Sequence, residues 1–105
     1  MTNEMIEKLE KAGFKRWTKG DKDRLYVNAK ELGLELSYYK TGNVSDARFC
    51  GDSISNSEGR RLYAAKTYID LTSDTIVSDE SKLAQKVAEI VGVEPENYWD
   101  KRIKF

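Results

Sequence analysis

A chain of 105 residues with 18 Lys/Arg, 18 Asp/Glu, one cysteine and no histidine suits one globular domain, burying roughly two thirds of the surface its unfolded form exposes. At 39% hydrophobic and 34% charged the composition is that of a globular rather than a disordered chain; the single Cys50 excludes an internal disulfide or a cysteine-rich zinc site, and the missing histidine removes the commonest general base and transition-metal ligand. No apolar run approaches the ~20 residues that span a bilayer, and the N-terminus MTNEMIEKLEK is acidic and amphipathic, so a cytoplasmic protein with no membrane partner is expected.

Thr2 or Asn3 as N-cap, Met5, Ile6, Leu9 and Ala12 on one stripe, and Gly13 just past the end predict a first helix. FKRWTKGDKDRLYVN alternates loosely about the turn-rich Gly20-Asp21-Lys22-Asp23, which predicts a hairpin of residues 14–19 with 24–28. Asn28-Ala-Lys-Glu31 has the form of a capping box opening one helical turn that Gly33 closes.

The second hairpin has the strongest pattern. Gly42-Asn43, with glycine first as a type II′ turn prefers, pairs Thr41 with Val44, Tyr39 with Asp46, Ser37 with Arg48 and Glu35 with Cys50. That register sets Tyr38 opposite Ala47 and Leu36 opposite Phe49 on an apolar face, and places Cys50 on the polar face. Ser55-Asn-Ser-Glu58 is a second capping box, and a helix is expected from there to about Lys66 with Leu62 and Ala65 inward. TYIDL and TIVS form a third hairpin around Ser73-Asp74. Ser78 or Asp79 then caps a helix with Leu83, Val87, Ile90 and Val91 on one face, ended by Gly92 and followed by Pro95. Residues 94–105 read as an aromatic-basic tail. The fold class is α+β: an antiparallel sheet of three successive β-hairpins, each followed by a helix, with an N-terminal helix.

Charge is zero overall but uneven along the chain. Residues 1–30 hold eight Lys/Arg against five Asp/Glu, residues 70–100 two against eight, and the last five residues three bases. Within FCGDSIS, the block Gly51-Asp52-Ser53 resembles the nucleophile motif of a large esterase and lipase family. A serine nucleophile needs a base, which in that family is histidine, and the block ends a strand here instead of opening a strand–turn–helix elbow. Asp70 or Asp74 with Glu80-Ser81-Lys82 imitates the acidic-x-lysine step of one endonuclease class, but Glu80 and Lys82 fall in the first turn of a helix, where an acid serves the helix dipole. Cys50 has only Arg48 nearby to lower its pKa. With neither a Walker A loop nor GxGxxG, no cofactor is expected.

Binding chemistry fits the residues better than catalysis. Lys15, Arg16, Trp17, Lys19, Lys22 and Arg24 in the first hairpin, with Tyr39, Lys40, Asn43 and Arg48 in the second, combine basic groups and aromatics that hold phosphates and stack bases. Asp21, Asp23 and Asp46 among them, and a pI near 6.3, moderate that reading. Trp17, Tyr39, Arg48 and Trp99 are also the residue types that anchor protein interfaces.

The pieces RWTKG, DRLYVN, YYKTGN and ISNSEGRR, within Gly13 to Leu71, resemble a recurrent domain of small proteins carried by phages and other mobile elements of Gram-positive bacteria. The resemblance carries no activity and assigns no residue a role. It implies a setting: a non-catalytic, anti-CRISPR-like inhibitor docking on a host defence protein or nucleoprotein complex. The alternative is a small accessory protein that binds DNA or RNA.

Overall fold

The computed structural model describes residues 1–94 and 102–104, with Arg102 described by its backbone alone. Helix α1 (Asn3–Lys11) starts where Thr2 Oγ1 accepts the Met5 N–H at 3.2 Å and stops before Gly13, whose φ of 109° suits a residue without a Cβ. Its inward stripe centres on the fully buried Leu9.

Strands β1 (Lys15–Lys19) and β2 (Lys22–Tyr26) form the first hairpin with Lys19 opposite Lys22, so the turn is Gly20-Asp21 and tighter than the four-residue turn expected. Gly20 alone of the two has positive φ, 62°, the type II′ pattern whose twist matches the flanking strands. One turn of helix, α2 (Ala29–Leu32), follows Asn28 as expected. The capping box does not form: Asn28 makes no side-chain cap bond, and the Glu31 N–H goes to the Asn28 carbonyl oxygen at 3.0 Å.

The second hairpin corrects the expected register. Strands β3 (Leu34–Tyr38) and β4 (Val44–Phe49) pair Leu34 with Phe49, Glu35 with Arg48, Leu36 with Ala47 and Ser37 with Asp46, two residues displaced from a Gly42-Asn43 turn. The reason lies in Gly42, which has φ 90° and serves as the left-handed third residue of the loop Lys40-Thr41-Gly42. Tyr39 N–H donates to the Asn43 oxygen and Gly42 N–H to the Tyr39 oxygen, the three-residue loop with a G1 bulge. A second irregularity leaves Ser45 between Val44 and Asp46 without a partner, so Val44, Ala47 and Phe49 all turn inward. Because the displacement is an even number, the apolar face keeps its residues.

Gly51-Asp52-Ser53 does not release the chain. Cys50 (φ 54°) and Gly51 (φ 86°) form a two-residue turn of the I′ pattern, and a third strand, β5 (Asp52–Ile54), pairs with β4. Cys50 is therefore in an exposed turn, not on a strand face, with its thiol donating to the Leu32 carbonyl oxygen at 3.4 Å.

Ser55 Oγ accepts the Glu58 N–H at 3.2 Å and opens α3 (Asn56–Ala64), which ends two residues before Lys66 as Ala65 becomes extended. Gly59 is buried where α3 crosses the second sheet, and a Cβ there would lie 2.6 Å from Ala47 Cβ. Strands β6 (Thr67–Asp70) and β7 (Thr75–Ser78) form the third hairpin, with Asp74 at φ 52°. Helix α4 (Ser81–Val91) has Glu80, not Ser78 or Asp79, as its N-cap; Ser78 Oγ instead accepts the Glu80 N–H at 3.2 Å from one step outside. Leu83, Val87 and Val91 face inward as expected, joined by Ala84 and Ala88, and Gly92 is the left-handed cap.

The expected single sheet of three hairpins is two sheets. The first and third hairpins join edge to edge through β2 and β6, and a short strand, β8 (Arg102–Lys104), extends the order to β1-β2-β6-β7-β8; β3-β4-β5 is separate. The far end of the expected tail is thus a strand with Ile103 buried, while residues 95–101, including Trp99, lie outside the described residues. The row Leu25, Ile69, Ile76 and Ile103 faces α1 and α4, and Leu34 and Phe49 of the second sheet belong to the same buried cluster. Among the described residues the architecture is α+β with antiparallel sheets and four helices, none of them long and apolar enough to cross a membrane.

Candidate nucleic-acid interface

Alternation along a strand sends successive side chains to opposite faces. With Leu25 and Ile69 pinned in the core, Arg24, Tyr26, Tyr68 and Asp70 must face away from it. The register then builds two rows on this outer face: Trp17, Arg24, Asp70, Thr75 and Lys104 across all five strands, and beside it Lys15, Tyr26, Tyr68 and Val77. Lys19 and Lys22, opposite each other at the hairpin end, continue the face. No helix among the described residues packs on it.

The centre is aromatic. Trp17 and Tyr26 meet edge to face with ring centroids 6.0 Å apart, and Tyr26 and Tyr68 lie 5.5 Å apart at 36°. Trp17 is 39% exposed and Tyr26 37%, so ring surface is available to a ligand. The Arg24 guanidinium sits 4.5 Å from the Tyr68 ring centroid and donates to the Tyr26 hydroxyl at 3.3 Å. That hydrogen bond is the main cause raising the Arg24 pKa above its ordinary value; desolvation opposes it, and Tyr68, Tyr26 and Asp70 add to it. Arg24 Nε is buried without a hydrogen-bond partner among the described residues.

Lys15, Lys19, Lys22, Arg24 and Lys104 surround the rings, against Asp70 as the single carboxylate on these rows. Asp70 is already engaged, its Oδ1 accepting the N–H groups of Thr72 and Ser73. The acidic residue that diluted the first hairpin in the sequence is on the other face: Asp23 takes a bidentate contact from Arg16, with Nε 3.0 Å from Oδ1 and Nη2 2.7 Å from Oδ2, and accepts from Thr18 Oγ1. The hydrogen bond from Arg16 holds the Asp23 carboxyl below its usual range, and the same bond raises Arg16.

Of the residues expected in a binding site, Lys15, Trp17, Lys19 and Arg24 therefore share one surface, while Arg16 points away from it and is neutralised. Tyr39, Lys40, Asn43 and Arg48 belong to the second sheet and its loop; Arg48 pairs with Asp46 at 3.2 Å, and Asn43 supplies the backbone oxygen that closes the loop. Tyr26 and Tyr68 were missing from the expected site. Alternation within DRLYVN marks Tyr26 as opposite in face to Leu25, but only the pairing of β2 with β6, 42 positions apart at Tyr26 and Tyr68, brings Tyr68 beside it.

The catalytic candidates stand apart from one another. Ser53 is a mid-strand residue opposite Arg48. Asp74 receives the Met1 ammonium group at 3.0 Å, and Glu80 lies 3.8 Å from Arg61 while Lys82 contacts Glu58 at 2.7 Å. Among the described residues no three His, Cys, Asp or Glu side chains cluster as metal ligands do. No family model, curated protein or solved structure matches the chain.

Proposed function

We propose that the protein is a non-catalytic binding module that holds single-stranded nucleic acid across the outer face of its five-stranded sheet. The observation that carries this reading is the segregation of charge: Trp17, Tyr26 and Tyr68 lie among five cations with one committed carboxylate, and Asp23 lies on the opposite face, paired with Arg16. Bases stack on Trp17 and Tyr26, and Lys15, Lys19, Lys22 and Arg24 meet the phosphates between them. A single strand fits better than a duplex, because the partly exposed rings of Trp17 and Tyr26 offer stacking surface that paired bases cannot use. The deciding measurement is anisotropy of short single- and double-stranded oligonucleotides at low salt. Single strands bind and Trp17→Ala weakens them; absence of binding to any strand refutes the proposal.

A second reading, inhibition of a host defence protein by docking, is favoured by a different surface. Tyr38, Tyr39 and Tyr63 are 56%, 60% and 69% exposed, and Tyr38 and Tyr63 border a cleft of about 280 Å³ with Leu34 and Leu36. Aromatic side chains around an apolar recess are what interface anchors look like. Under this reading a host protein co-purifies with the wild type and with Trp17→Ala but is lost from Tyr38→Ala/Tyr63→Ala.

A further inference from the structure

At the end of the outer face where β2 ends and β6 begins, a cleft of about 230 Å³ opens beside Tyr26, lined also by Lys15, Lys66, Asn28 and Glu31. Its carboxylate is placed deliberately by the backbone. Gly13 has φ 109°, and a Cβ at that position would lie 3.0 Å from Glu31 Cβ and 3.2 Å from Glu31 Oε2, so the missing side chain is what lets Glu31 lie against the end of α1. Glu31 forms no ion pair among the described residues, although two lysines line the same cleft. The Asn28 carboxamide, positioned to cap α2, makes no cap hydrogen bond and keeps its donors and acceptor. Both side chains are exposed, so Glu31 and Asn28 offer their polar atoms to a ligand beside a stacking ring, at the end of a surface whose rings and cations do not read base edges.

We propose that this cleft is a base-selective pocket for guanine; the inference rests on the reading of the outer face as a nucleic-acid surface and adds sequence preference to it. The Watson–Crick edge of guanine carries two adjacent donors, N1–H and the N2 amino group, which the two oxygens of one carboxylate accept in parallel as charge-assisted bonds. Adenine and cytosine set an acceptor beside their amino group, and thymine or uracil flanks its one N–H with two carbonyls. Each of those bases would turn a lone pair toward the second Glu31 oxygen, an unpaired contact that a polar site penalises more heavily than an apolar one. The guanine ring stacks on Tyr26, the Asn28 amide reaches its O6, and Lys15 and Lys66 take the flanking phosphates.

The test compares an oligothymidine, the same strand with one internal guanine, and that strand with inosine in place of guanine, using anisotropy, alongside calorimetric titration of GMP. The guanine strand binds about tenfold more tightly than the all-thymidine strand, and inosine, which lacks the N2 amino group, loses most of that gain. Glu31→Gln abolishes the preference while the all-thymidine affinity stays the same or rises, since a negative charge has left the surface. Glu31 is exposed and its substitution leaves the core intact, which circular dichroism verifies. Equal affinity for guanine and thymine strands overturns the pocket and leaves the stacking face standing. GMP binding without binding of any strand keeps the guanine pocket and overturns the strand reading; no binding of strand or GMP overturns both.

Discussion

The proposed face separates two energetic contributions that one titration can resolve, because its cations and its rings are different residues. Lys15, Lys19, Lys22 and Arg24 lie on the two strands that carry Trp17 and Tyr26. If each neutralises one phosphate of a single strand, the slope of log K against log salt is about −2.8, at roughly 0.7 per phosphate. Affinity then falls about 50-fold between 50 and 200 mM salt. Lys19→Ala removes one contact and flattens the slope to about −2.1. Trp17→Ala removes no charge, so the slope is unchanged and the whole line drops by the stacking contribution, about 1–3 kcal/mol or roughly 5- to 150-fold in affinity.

Both positions are exposed on the edge strand, so neither substitution opens a cavity in the core and the comparison reads binding rather than stability. Lys40→Ala, on the other sheet, is the control and leaves both slope and intercept as in the wild type. The measurement is anisotropy of a labelled oligothymidine at four or more salt concentrations for the four proteins. The reasoning is refuted if Trp17→Ala leaves the intercept unchanged, or if Lys40→Ala flattens the slope as much as Lys19→Ala does.

Gly59→Ala places a Cβ 2.6 Å from Ala47 Cβ and 3.0 Å from Leu36 Cδ2. Overpacking of about 1–3 kcal/mol outweighs the roughly 1 kcal/mol that alanine gains in a helix, so urea denaturation shows a lower midpoint. Ile103→Ala costs about 2–4 kcal/mol in the same assay if β8 is part of the cooperative core. Ser55→Ala removes the acceptor for the Glu58 N–H and costs about 1 kcal/mol. Asp23 has a folded pKa held down by Arg16, so its contribution is complete above the ordinary carboxylate value of about 3.9 and is lost as pH falls through the lower folded value. Thermal melts of wild type and Asp23→Asn differ by a constant amount above about pH 5 and converge as pH falls through the lowered folded value; a difference that persists at the acid end contradicts the ion pair.

Local signals carried much of the fold. Helix ends were legible because caps are chemical: Thr2, Ser55, Gly13 and Gly92 do at their positions what their side chains, or the lack of one, permit. The box at Asn28 failed although its pattern was as good as that at Ser55. In a single turn of helix the Glu31 N–H already has the Asn28 carbonyl oxygen as a partner, which leaves the side chain nothing to satisfy. The Gly42-Asn43 turn failed for a related reason: glycine at a loop supplies positive φ to either a two-residue turn or a G1 bulge, and the sequence does not say which. The error preserved the faces, since a displacement of two residues keeps the alternation. Which strands lie side by side was not legible. The union of β2 with β6 is made by backbone groups common to every residue, across an insertion from Val27 to Lys66 that holds a whole second sheet.

That same union decides how much of the site could be read. Within one hairpin, alternation already separates Lys15, Trp17, Lys19, Lys22, Arg24 and Tyr26 from Arg16, Thr18 and Asp23. Counted along the chain, Asp23 dilutes the basic residues of the hairpin; counted by face, it meets only Arg16 among them and leaves Lys15, Lys19, Lys22 and Arg24 on the other side. Tyr68 is different, because alternation sets it opposite in face to Ile69 but no local pattern says which strand lies beside it. Beside Tyr26 it becomes the third ring of a continuous surface and the platform that holds the Arg24 guanidinium 4.5 Å from its centroid. An edge hairpin with a tryptophan and a few lysines is ordinary; joined to a second hairpin at that register, it becomes a stacking face with a charged border and a cleft at its end. The property proposed for this protein is therefore one of strand order, and a substitution that loosens the β2–β6 seam without touching a ring or a cation weakens strand binding along with stability.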